Sequence, residues 1–298
     1  SLHRINDKII VKNNNLKLKI MKKIITLSMF LVALVSFAQE ESPVEEKKFT
    51  LSGSIDAYYR ANLNAPNDAD NWTKPGTSFA NLPGFALGMA NVVASYEGKK
   101  VGFVADLVFG PRGTDAIFAS PMYSATGNIV NQLYAYWNVS DNVTLTMGNF
   151  NTFLGYEVIS PTGNFNYSTS YLFSNGPFSH LGLKADFTLS EDFSLMLAIM
   201  NATDVYDNMT GDYAFGAQLG YAGQFLNFYY DNDEVLGFEI DYTGGFDLTD
   251  SFYLGINGAY QVSEDAGFYG VALYPQLATS DSFSIGLRGE LFGIHEKD

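Results

Sequence analysis

The stretch LGLKADFTLSEDFSLMLAIM, residues 181 to 200, decides how the rest of the chain is read. Its first arm puts Leu181, Leu183, Ala185, Phe187 and Leu189 on one face and Gly182, Lys184, Asp186 and Thr188 on the other. Strand side chains alternate faces with period two, so the arm has one oily and one wet side. Phe193, Leu195, Leu197 and Ile199 repeat the pattern after Ser190-Glu191-Asp192. Three polar residues leave room only for a tight antiparallel turn. Arms of about ten residues match a tilted strand crossing an outer-membrane hydrocarbon layer.

Composition agrees. The 298 residues include no cysteine, 24 Phe, 19 Tyr and 28 Gly. Disulfides, thiolate metal sites and a lipid-modified cysteine are thereby excluded. Three histidines (His3, His180 and His295) make a histidine-rich metal centre a poor reading, and no cofactor motif is present. Mean hydropathy near zero with this many aromatics is unusual for an acidic soluble chain and ordinary for a transmembrane barrel.

Residues 21–38 read as a secretory signal: Met21-Lys22-Lys23 is the basic start, Ile24 to Val35 the apolar run, and Ser36-Phe37-Ala38 the small-residue site for a cut before Gln39. Residues 1–20, Asn- and Lys-rich and aperiodic, read as an upstream extension foreign to the fold, and 39–48 as a charged periplasmic lead-in. Removing the seven basic and one acidic residues before Gln39 leaves ten basic and 31 acidic residues, a net charge near −21. Nucleic acid is a poor partner for that surface.

From residue 49 to 298 the pattern is all-β. Strands are expected near 49–61, 84–97, 100–110, 129–139, 143–151, 180–189, 193–201, 212–221, 224–231, 236–248, 252–263, 267–278 and 282–293. Connections alternate between very short and long, the long ones at about 62–83, 111–128, 151–179 and 201–211. Four short turns share a hydroxyl residue and an acid followed by an apolar strand start, as in NVSDNVTL and TLSEDFSL. Short turns at one end and long loops at the other is the asymmetry of an up-and-down outer-membrane barrel. About thirteen strands are present. That odd count, and a polar ending from Gly293 to Asp298, lead us to expect a chain incomplete at its C-terminus, with 14–16 strands when whole.

Side chains fill a barrel interior only when strands are few, about eight. A wider barrel holds water, so its apolar face must point outward into lipid. The inward sets fit: Ser52, Ser54, Asp56, Tyr58 and Arg60; Gln132, Tyr134, Tyr136 and Asn138; Lys184, Asp186 and Thr188; Glu239, Asp241 and Thr243; Ser284, Arg288 and Glu290. Strand 100–110 is less clean, because Val104 and Val108 share the Asp106 face. Phe193, Phe252 and Phe283 open strands after short turns and Trp137 closes one, the placement of an interfacial aromatic girdle.

The most distinctive segment is GNFNTFLGYEVISPTGNFNYSTSYLF, residues 148–173. Its Gly148, Phe150, Gly155, Tyr156, Glu157, Asn164, Phe165, Tyr167 and Ser168 resemble the G-x-F…G-Y-E…N-F-x-Y-S pattern of the OmpL-like β-barrel porin family. The resemblance implies an outer-membrane porin-like barrel, inserted into outer-membrane lipid by the barrel assembly machinery. By analogy with general porins, whose third outer loop folds inward, it makes residues 152–178 a candidate constriction loop bearing Glu157, Asn164 and Tyr167. An outward cap is the open alternative.

The function expected is passive diffusion of small hydrophilic solutes or ions. Selectivity would come from the lumen charges Asp56, Arg60, Asp106, Lys184, Asp186, Glu239, Asp241, Arg288 and Glu290. A non-conducting barrel that binds partners through its long loops is the rival. A homo-oligomer is left open, since no residue argues for one. Catalysis is not expected: Ser179 and His180, with Asn175 near, point to opposite faces of one strand and cannot easily pair. The acidic run Asp231-Asn232-Asp233-Glu234 reads as a solvated loop tip before it reads as a cation site.

Overall fold

The computed structural model describes residues 48–63, 66–68, 77, 82–117, 129–208, 210–232, 235–264 and 266–296. The signal, the upstream extension, the lead-in up to residue 47, parts of the first two long loops, and Asp233 and Glu234 lie outside the described residues. Within them the chain is one antiparallel sheet with neighbours in sequence order. Its strands are β1 (Lys48–Arg60), β2 (Gly84–Glu97), β3 (Val101–Phe109), β4 (Val130–Ser140), β5 (Val143–Asn151), β6 (Ser179–Thr188) and β7 (Phe193–Met200). They continue as β8 (Ala214–Tyr221), β9 (Gln224–Tyr230), β10 (Phe238–Thr249), β11 (Phe252–Val262), β12 (Ala266–Ser280), β13 (Phe283–Gly286) and β14 (Gly289–Glu296). Two short helices, α1 (Pro111–Ala116) and α2 (Tyr171–Asn175), lie in long connections that strand periodicity alone left featureless.

The hairpin of residues 181–200 forms as its alternation requires, with Gly182 opposite Met200 and Thr188 opposite Ser194. At the β8–β9 turn Ala222 (φ 49°) and Gly223 (φ 78°) are both left-handed, the two-residue geometry whose twist matches flanking strands.

Fourteen strands stand where thirteen are expected because one is interrupted. β13 and β14 both pair with β12, in a single register: Gly286 faces Gln276 and Gly289 faces Leu273. Between them Leu287 faces Pro275, where Leu287 N–H still donates to Pro275 O at 3.1 Å. Proline has no N–H to return the bond, so the ladder breaks there. Residues 293–296, expected to begin a polar loop, are the end of β14. The sheet is not closed: among the described residues no pairing joins β1 to β13 or β14.

One face of the sheet carries Leu51, Ile55, Phe85, Leu87, Met147, Leu183, Leu197, Ile199 and Phe215, with Ile55 87% and Phe85 92% exposed. In water such a surface would aggregate; facing acyl chains it is at home, with the ladder satisfying the backbone. The other face is polar along parts of its width. Elsewhere it is apolar and covered, as where Met196, Met200 and Tyr229 pack with Phe150 and Leu154.

Leu197→Arg places a charge on the lipid face and is expected to cost about 2–4 kcal/mol if its side chain lies near the bilayer midplane. Denaturant titration of protein folded in lipid vesicles measures this. A loss below about 0.5 kcal/mol would mean that the face does not meet hydrocarbon.

Candidate functional site

Everything of chemical interest converges on residues 152–178, which cross the inner face of the sheet. The neck is closed by Thr152 N–H donating to Phe178 O at 3.0 Å. Asp204, in the loop after β7, accepts the N–H groups of Phe178 (3.0 Å) and Ser179 (2.8 Å). Gly155, left-handed at φ 83°, turns its N–H onto Asp241 Oδ1 at 2.9 Å. A side chain at that φ is strained, which suits glycine to the turn.

Beyond the turn, the Tyr156 ring stacks on Tyr274 with centroids 4.4 Å apart. Gly255 leaves room for it: a Cβ there would collide with the Tyr156 hydroxyl. Gly216 likewise clears Phe153, whose Cζ a methyl would approach to 2.6 Å. Glycines on β8 and β11 therefore act as sockets for loop aromatics.

Glu157 is the polar centre of the loop. It is 4% exposed and accepts Ser170 N–H at 2.7 Å, Ser170 Oγ–H at 2.6 Å and Arg288 Nη1 at 2.9 Å. Burial pushes its carboxyl upward, opposed by Ser170 and Arg288. Arg288 also donates to Ser168 O and to Ser168 Oγ, the latter at 3.1 Å. Ser170 caps α2 by accepting Phe173 N–H at 3.0 Å. Glu290 of β14 accepts Tyr171 and Leu172 N–H at 2.9 and 2.8 Å, where unpaired helix-start donors need an acceptor.

One residue earlier than Ser168, Tyr167 donates its hydroxyl to Asp56 Oδ2 of β1 at 2.7 Å. Consecutive Cα atoms lie about 3.8 Å apart, so the dipeptide Tyr167-Ser168 brings side chains from both ends of the sheet order to one place. Arg112 of α1, the helix that follows β3, secures the same loop, donating from Nε to Ile159 O at 3.0 Å and lying 5.4 Å above the Tyr167 ring.

Apolar packing completes the attachment. Ile159, Phe173 and Phe178 join Met89, Val108 and Ile117, while Leu172 joins Phe268, Ala272 and Tyr274. The interior expected to be wet throughout is thus partly filled by the chain's own loop. Cavities of about 330 Å³ beside Tyr156 and Asn164 and about 490 Å³ beside Lys184 and Asp186 flank it.

The residues singled out from sequence fall into different environments. Asp56, Arg288, Glu290, Glu157 and Tyr167 meet in the loop attachment. Lys184 and Asp186 pair at 2.7 Å and line the larger cavity. Asp106 and Asp241, expected to face open water, are buried: Asp106 accepts Asn91 and Asn131 amides, and Asp241 those of Asn227 and Asn257. Glu239 is 2% exposed, and its Oε2 meets no hydrogen-bond donor among the described residues. Asn164 braces the loop internally, its Oδ1 accepting Val158 N–H at 2.9 Å and its amide donating to Val158 O at 2.6 Å. Arg60 is half-buried at the end of β1. Arg112 and Asp204 were missed; both sit in aperiodic connections that give no signal of what they hold.

His180 lies fully buried with Nε2 2.9 Å from Thr152 Oγ1, and Ser179 turns away to Asp204. The His180 Nδ1 meets no hydrogen-bond partner among the described residues. Among the described residues no group of three or more His, Cys, Asp or Glu could hold a metal ion.

A broad antiparallel sheet, oily outside and crossed inside by a long anchored loop, defines the porin-like β-barrel class. The sequence model of the family described as "Putative beta-barrel porin-2, OmpL-like" matches residues 48–297, and the chain belongs to that family. No curated protein matches the chain.

Arg288→Met leaves Glu157 buried without its cation, and breaking such a pair costs about 3–5 kcal/mol. Denaturant titration should show that loss, with Glu157→Gln/Arg288→Met recovering most of it. A single variant as stable as the parent removes the pair from the account. Burial lifts the Asp204 carboxyl from 3.8 to about 6, against the pull of its backbone donors. A carboxyl raised on folding binds its proton more tightly in the folded state, so its contribution to stability falls as pH rises from about 4 to about 6. Relative to the parent, Asp204→Asn is therefore expected to gain melting temperature from pH 4 to 7. A pH-independent difference contradicts this.

Proposed function

We propose that the protein is an outer-membrane channel through which small hydrophilic solutes or ions diffuse passively, exported by the signal read at 21–38. The observation that carries this reading is the loop of residues 152–178. It is anchored to β1 through Asp56, to β10 through Asp241 and to β14 through Glu290, with polar cavities left on its flanks. A loop so held sets the aperture, acting as a fixed constriction with Glu157, Asn164 and Tyr167 along it. The acid excess of the chain after residue 38 biases the path toward cations.

The apolar packing of Leu154, Ile159, Leu172, Phe173 and Phe178 favours a second reading, in which the loop plugs a barrel that works by binding partners outside. Planar bilayer recording of the full-length protein separates them. Steady conductance steps with a reversal potential on the cation side are expected. Silence from folded protein establishes the plugged scaffold, and anion preference overturns the charge assignment.

A further inference from the structure

The larger cavity, about 490 Å³, lies between the inner face of β4 to β8 and the start of the crossing loop, and falls in the size range of small-molecule sites. Its charges cancel locally. Lys184 Nζ is 2.7 Å from Asp186 Oδ2 and lies 5.7 Å from the centroid of the Phe150 ring, so the cavity's cation is already engaged by a carboxylate two residues away. An anionic solute finds no unopposed positive charge there, and a cation no unopposed negative one.

What remains is hydroxyls, amides and aromatic rings. Tyr134 and Tyr136 follow each other along β4 on the cavity side. Gln218 donates its amide nitrogen to Asn227 Oδ1 at 2.8 Å, leaving Oε1 as an acceptor. Asn151 also lines the cavity, beside Gln132, whose Oε1 accepts the Asn151 N–H at 3.2 Å. Thr146 adds a hydroxyl that both donates and accepts.

Dense mixed donors and acceptors beside aromatic rings, with no net charge, suit a molecule whose edges are hydroxyls and whose faces are C–H surface. We propose that this cavity is a binding subsite for a neutral polyhydroxylated solute of mono- or disaccharide size. The subsite rests on the pore reading for its role as a waypoint in permeation, but binding itself does not require conduction.

Two measurements on the full-length protein keep those claims apart. Calorimetric titration of the detergent-folded protein with maltose tests the subsite, and bilayer recording with maltose added tests its place on the path. Saturable heat with maltose but none with dialanine is expected, together with saturable maltose block of the ion current. Gln218→Leu and Thr146→Val should each weaken binding, the former about tenfold (1.4 kcal/mol). Thr146→Val is near-isosteric and guards against a folding defect in the other variant. Maltose binding without conduction keeps the subsite and removes the pore. Conduction without saturable maltose binding overturns the subsite and keeps the pore, as does binding that neither variant alters. Stronger binding of dialanine assigns the cavity to zwitterions through Lys184 and Asp186 and overturns the neutral-solute proposal.

Discussion

A sheet of fourteen strands is too wide for its own side chains to meet across the middle, and the molecule answers that constraint with backbone. The third long connection is drawn in rather than displayed. Its attachment combines a buried ion pair, a carboxylate at each end of the sheet order and three apolar clusters. The ion pair is the part most sensitive to change. Glu157 and Arg288 gain little from Coulomb attraction alone after losing their water, but removing either strands the other. Ser168 and Ser170 supply the additional bonds that make the arrangement tolerable.

The same width governs the outer face. A large oily surface bounded by hydrogen-bonded strands is stable where lipid covers it, and from β1 to β14 each strand is hydrogen-bonded to a neighbour. The two faces are thus different solutions to one geometry. Hydrocarbon covers the outside, while the loop, its flanking cavities and a set of amide-bound carboxylates occupy the inside. Asp241 illustrates the economy: it holds Asn227 and Asn257 in the wall and the Gly155 turn of the loop at once.

Period-two alternation made the strands legible, and the turn signatures made their order legible, because both are local properties of the chain. The β13–β14 break was not read, although Pro275 inside the expected strand 267–278 carries its signal, since a residue without N–H cannot complete a ladder. What alternation could not reveal was depth along the inner face. Asp106, Asp241 and Lys184 look alike in a strand pattern, yet two are buried under amides and one edges a cavity. That depends on where an aperiodic loop lies, and the loop's course is set by contacts more than a hundred residues apart, such as Arg288 with Glu157. Arg112 and Asp204 were invisible for the same reason.

Residues 152–178 lie against the inner wall of the sheet, held there by Asp56, Asp241 and Glu290. Because the chain has no cysteine, Asp56→Cys/Tyr167→Cys can be made without competing thiols, and a short bis-maleimide added to the protein folded in lipid vesicles reports their separation. The contact between Tyr167 and Asp56 predicts efficient intramolecular linkage that disappears on unfolding. Absence of linkage in folded protein, with the residue-167 thiol modified by a bulky maleimide that cannot enter the barrel, would contradict the account.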